Sequence, residues 1–181
     1  CSHDDNFANL RREDPGTEAV VLANPQTAEF QVVRTSLLPG LLKTLCHSKN
    51  VPLPLKLFEV SDVALKDEAA ERRARNERRV AVVYSSKVAG FEIIHGLLHR
   101  LMQMLHTNLA SATGSDEGYY IRESENPTYF PGRSADVFRR TSESSEGTLI
   151  GTFGTVHPEV LEKFDAAFPV AALEFNLEPF L

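Results

Sequence analysis

Apolar residues along this chain fall into two periods, and the periods assign the elements. From about Ser36 to Lys49, Leu37, Leu38, Leu41, Leu42, Leu45 and Cys46 share one side, with Lys43, Thr44, His47 and Ser48 opposite. Recurrence at three and four predicts an amphipathic helix. Thr35 and Ser36 are placed to cap its free amides, and Pro39 is tolerated in a first turn. Gly90 to His106 carries Phe91, Ile94, Leu97, Leu98, Leu101, Met102 and Leu105 at the same spacing and predicts a second long helix. Ser2 to Arg12, capped by Ser2 with Asp4 and Asp5 in its first turn, and His157 to Phe164, with Pro158 at its start, read as shorter helices.

Elsewhere the apolar positions alternate or run in short β-branched stretches. Strands are predicted over Ala19 to Ala23, Leu55 to Leu65, Arg79 to Ser85, Tyr119 to Glu123, Ala135 to Arg140, Thr148 to Val156 and Val170 to Leu177. Turns are predicted at Glu13 to Thr17, around Asn24-Pro25 and at the acidic tip Thr141 to Gly147, with a loop over Asn108 to Gly118. Lys66 to Glu77 holds charges of both signs and almost no large apolar residue, so it is expected to be an exposed, mobile connection. Strands outnumber helices and their connections are hairpin-like. The predicted class is therefore α+β, a largely antiparallel sheet flanked by helices.

Composition narrows the function. The 181 residues, 42% apolar and 24% charged, suit one ordinary domain with a substantial core. No apolar run approaches the roughly 20 residues that span a bilayer, and the polar, acidic opening Cys1-Ser2-His3-Asp4-Asp5 is no signal peptide. Cys1 and Cys46 make neither a disulfide framework nor a metal spacing; free thiols in a reducing, cytoplasmic setting are expected. A net charge of −6 argues against a dedicated nucleic-acid surface.

Candidate chemistry is sparse. His95 and His99 stand four apart with Glu92 one turn earlier, a spacing at which imidazoles share a metal, but no third ligand is indicated. Gly151-Thr152-Phe153-Gly154 lacks the lysine and hydroxyl of a phosphate loop, so its glycines are read as relieving a strand. Ser134 has no nucleophile elbow, and Cys46 is expected to be buried and inert on its leucine stripe. Phe130-Pro131-Gly132-Arg133 predicts a turn projecting one guanidinium, expected to meet a carboxylate of the chain itself. No residue is assigned to catalysis, to a cofactor or to a metal.

Five blocks carry a family resemblance. Beyond Asn24 to Lys43 they are Pro52-Leu53-Pro54-Leu55-Lys56-Leu57-Phe58-Glu59-Val60-Ser61-Asp62, Gly90 to Leu98, Phe130 to Arg133, Gly154-Thr155-Val156-His157-Pro158-Glu159-Val160, and Ala172 to Leu177. In content and order they resemble the β subunit of phenylalanyl-tRNA synthetases, eukaryotic cytosolic type, in its C-terminal catalytic-core-like domain. The resemblance implies one class II synthetase core-like domain over residues 1–181, part of a longer polypeptide that would extend before Cys1 and end near Leu181. Class II enzymes hold ATP through arginines; the matching segments here, Leu57 to Asp62 and Leu173 to Leu177, lack them.

The resemblance thus implies a non-catalytic module, inactive alone. It would pair with the catalytic α subunit in a heterotetramer that joins phenylalanine to tRNA using ATP and magnesium, meeting tRNA only through the full assembly. The alternatives are an independent metal-dependent enzyme on Glu92, His95 and His99, or a regulatory interaction domain on a synthetase-like fold. In class II folds the first long helix lies at a subunit interface, so Leu37, Leu41 and Leu45 are the expected interface residues, with ordinary core as the competing reading.

Overall fold

A computed structural model describes residues 1–181. Six antiparallel strands form one sheet in the order β1-β2-β6-β5-β4-β3. They are β1 (Leu55–Lys66), β2 (Ala74–Ser85), β3 (Gly118–Glu123), β4 (Tyr129–Thr141), β5 (Ser144–Val156) and β6 (Val170–Asn176). The helices are α1 (His3–Asn6), α2 (Leu38–His47), α3 (Phe91–Met104) and α4 (Pro158–Lys163), with short 3-10 turns at Ala8–Leu10 and Glu178–Phe180.

Alternation along each strand separates two cores. On one face Val63, Ala81, Val83, Val170 and Ala172 meet the α2 leucines together with Val160 and Phe164 of α4. On the other, Val80, Val82, Ala171, Leu173, Phe175 and Phe153 meet Ile94, Leu98 and Met102 of α3. Successive residues of a strand point to opposite faces, so β2 and β6 supply both layers.

The turn expected at Phe130 to Arg133 is instead an irregular stretch inside β4, where the register shifts between Tyr129 and Ser134 and Gly132 adopts φ 68°. Four further expected elements change. Ala19 to Ala23 is not a strand: it touches β1 through a single bridge, Ala19 to Leu65, and its own continuation through another, Val21 to Val32. Two isolated pairs cannot propagate a ladder. The first helix stops at Asn6 and continues as the 3-10 turn, ending where Arg11 adopts φ 58°. The acidic tip shrinks to residues 142–143 because β4 and β5 pair as far as Thr141 and Ser144.

The fourth change is the charged run. Lys66 pairs with Ala74, Leu65 with Arg75, Ala64 with Asn76 and Val63 with Glu77, leaving only residues 67–73 as the connection. Glu77, expected in an exposed loop, is buried. Ion pairing rather than apolarity keeps it there, as described below.

Thr35 does not cap α2. Its hydroxyl and backbone N–H bond the carboxamide of Asn6, tying α1 to the start of α2. The N-cap position is Leu37, and Ser36, one residue before it, accepts the Leu38 N–H at 3.2 Å. At α4 the His157 ring accepts the Glu159 N–H at 3.2 Å.

Candidate functional site

α2 covers only part of its sheet face. Beyond its first turn the sheet is bare of helices, and the residues there turn polar. Successive register partners Glu174, Thr152, Asp136 and Arg122 cross β6, β5, β4 and β3 in one row, with Glu77 and Arg79 of β2 alongside. Arg75 Nη1 donates to Glu77 Oε2 at 2.7 Å, and Arg79 Nε to Glu77 Oε1 at 2.8 Å. Arg79 Nη1 reaches Glu174 Oε1 at 3.2 Å. Glu174 also accepts the Leu37 N–H at 3.1 Å and the Ser36 hydroxyl at 2.5 Å, so the carboxylate that pairs with Arg79 also satisfies the start of α2.

Burial would raise the Glu77 carboxyl, but Arg75 and Arg79 outweigh it and hold it below the ordinary carboxylate value. At Asp136 burial wins over a hydrogen bond from Ser124 and pushes the carboxyl up. Arg75 and Arg79 are therefore neutralised by the chain's own acids. These two guanidinium groups thus have no free charge to offer a triphosphate.

The second surface is apolar. On the α3 side, α3 lies over β2, β6 and β5 and leaves β1 uncovered. Phe58 is 75% exposed and Val60 49% exposed. With Val80, Val82, Leu97 and Leu101 they line an open recess of about 400 Å³. β1 is also an edge strand. The Ala64 and Lys66 N–H groups donate outward to Arg34 O and Glu18 O, so the N-terminal segment covers that half. By the same alternation the backbones of Lys56, Phe58 and Val60 face outward, where no backbone partner lies.

The residues singled out from sequence separate. Leu37, Leu41 and Leu45 are 0, 5 and 6% exposed and belong to the chain's own core; the exposed side of α2 is Gly40, Lys43, Thr44 and His47. His95 stacks on Phe153 at 5.5 Å, whereas His99 Nδ1 meets the Tyr119 hydroxyl at 2.9 Å and its Nε2 meets Gln103. Glu92, His95 and His99 do not converge on one point.

Cys46 is half-buried rather than core, with Sγ 3.7 Å from Asp165 Oδ2. Ser134 is buried and donates to Ser124 O at 2.6 Å. Arg133 is exposed and makes no ion pair, unlike the expected contact with a carboxylate. At Gly151 a Cβ would sit 2.3 Å from Glu174 O, and at Gly154 one would sit 2.5 Å from Arg133 O. These glycines allow close strand approach. Glu77, Arg79, Glu174 and Phe58 were not singled out as site residues; only their pairing across strands distant in sequence makes them a site.

Residues 1–177 match the family described as the phenylalanyl tRNA synthetase beta chain CLM domain. The whole chain is 51% identical to 30% of the phenylalanine–tRNA ligase beta subunit of Drosophila melanogaster. It is 49% identical over 185 aligned residues to 31% of that of Saccharomyces cerevisiae, and 47% identical over 182 to 29% of that of Homo sapiens. The chain therefore spans about three tenths of the length of these curated relatives.

Proposed function

The chain belongs to the phenylalanyl-tRNA synthetase β-chain family, matching its CLM domain, and on that premise we propose that it is a non-catalytic pairing module. It forms one class II core-like domain over residues 1–181 and pairs with the catalytic α subunit in a heterotetramer that charges tRNA with phenylalanine. ATP and magnesium act on the partner, tRNA is met through the full assembly, and the setting is cytoplasmic. Support for the setting comes from the Arabidopsis thaliana relative, whose name carries that word, and no helix of the chain is long and apolar enough to cross a membrane.

The observation that carries the pairing role is the apolar strip of Phe58, Val60, Leu97 and Leu101 beside the open edge of β1. Exposed apolar surface next to unpaired strand groups is the combination that partner surfaces use. The non-catalytic role is supported by Arg75 and Arg79, which are held by Glu77 and Glu174 and offer a nucleotide no free charge.

Co-purification with the α subunit tests the reading. Phe58 faces solvent, so Phe58→Asp is expected to leave the isolated chain folded while sharply reducing recovery of the α subunit. Unchanged recovery with a folded Phe58→Asp chain would remove this strip from the interface.

A further inference from the structure

The polar face holds a cavity whose free groups are nearly all donors. It measures about 310 Å³, and its walls include Arg12, Asn126, Thr152 and Asn176. The carboxylates that share it, Glu77 and Glu174, are already engaged by Arg75, Arg79, Ser36 and the Leu37 N–H. Arg12 is different. Its Nε donates to Thr128 Oγ1 at 2.9 Å, and the buried Thr128 donates in turn to Leu10 O at 2.8 Å. The guanidinium is thereby oriented, yet its Nη groups meet no acceptor of the chain and it forms no ion pair.

Two carboxamides repeat the pattern. Asn126 Oδ1 accepts the Thr128 N–H at 3.0 Å, and Asn176 Oδ1 accepts the Glu178 N–H at 2.9 Å. With each oxygen committed, each amino end is the free one. The Thr152 hydroxyl has no protein partner and lines the same space. Leu65, Leu149 and the Tyr129 ring add apolar wall. Asp136 lies in the adjoining recess with Arg12 and Thr152, and burial holds its carboxyl above the ordinary value.

We propose that this cavity binds a small oxyanion carrying a compact apolar group, an aromatic carboxylate or a phosphate monoester. Arg12 supplies the charge, Asn126, Asn176 and Thr152 supply further hydrogen bonds, and Leu65, Leu149 and Tyr129 receive the apolar part. The size lies at the low end of small-ligand pockets. The site is independent of subunit pairing, which uses the opposite face of the sheet.

The test is an NMR titration of the ¹⁵N-labelled chain with phenyl phosphate, phenylacetate and, as the neutral control, benzyl alcohol. Saturable shifts of the Asn126 and Asn176 side-chain amides are expected with at least one anion, and none with the alcohol. The tighter-binding anion identifies the group recognised. Arg12→Met should weaken binding at least about tenfold, the scale of one lost charge-assisted contact. Asn176→Asp keeps the acceptor for the Glu178 N–H but replaces the amino donor with a negative charge, and should abolish anion binding even if Arg12→Met fails to fold. No saturable shift with either anion, an equal response to benzyl alcohol, or unchanged binding in a folded Asn176→Asp chain would overturn the proposal.

Discussion

Residues decide whether charge is buried or bare, and Glu77 is the sharpest case. It lies in a run of arginines and acids that reads as solvated, yet it is 5% exposed because Arg75 and Arg79 both reach it. Its folded pKa is depressed below the ordinary 4.5, so the unfolded chain takes up the proton first as pH falls. Its stabilising contribution is complete above about pH 4.5 and is lost as pH drops through the folded value. Urea midpoints should fall between about pH 5 and pH 3, and Glu77→Gln should lower the midpoint at neutral pH and flatten that dependence. An unchanged slope would mean the ion pairs do not form.

Leu41 makes the complementary point. Its side chain lies in the core, so Leu41→Lys buries an uncompensated charge and is expected to unfold the isolated chain. Circular dichroism showing a folded Leu41→Lys chain would mean that Leu41 can leave the core. The leucine stripe shows how far sequence carries: it located α2 to within a residue or two, but a stripe reads the same against a sheet and against a partner helix.

At the scale of elements, α3 was legible from its apolar period and α4 from the proline at its start. The β2 start was not, since a strand whose residues are charged gives no alternation of apolar groups to read. Its pairing follows instead from the register with β1 and from the non-local Arg79–Glu174 contact. The revised hairpin predicts where a protease enters. Within it, trypsin should cut after Arg72 or Arg73, in the exposed connection, before Arg75 or Arg78, which lie in the paired strand. First cleavage after Arg75 or Arg78 would show that the ladder frays to Glu77.

β1 marks the limit of the sequence reading. Leu55, Leu57, Val63 and Leu65 point to one face and Phe58 and Val60 to the other, so both faces read as apolar. Which one stays open depends on α3 lying over β2, β6 and β5 rather than over β1, a fact of tertiary placement. The same holds for the oxyanion cavity, whose donors come from segments more than a hundred residues apart.

For the whole molecule, two faces of one sheet carry two different properties. The α2 side ends in a polar cleft whose arginines of β2 are self-neutralised, and the α3 side ends in an apolar strip beside an open strand edge. A chain built this way suits assembly better than phosphoryl chemistry. The most direct test is native mass spectrometry of the chain co-expressed with the catalytic α subunit. The account predicts a species whose mass corresponds to equal numbers of the two chains, and its loss with Phe58→Asp. Two separate masses, with both chains folded, would contradict it.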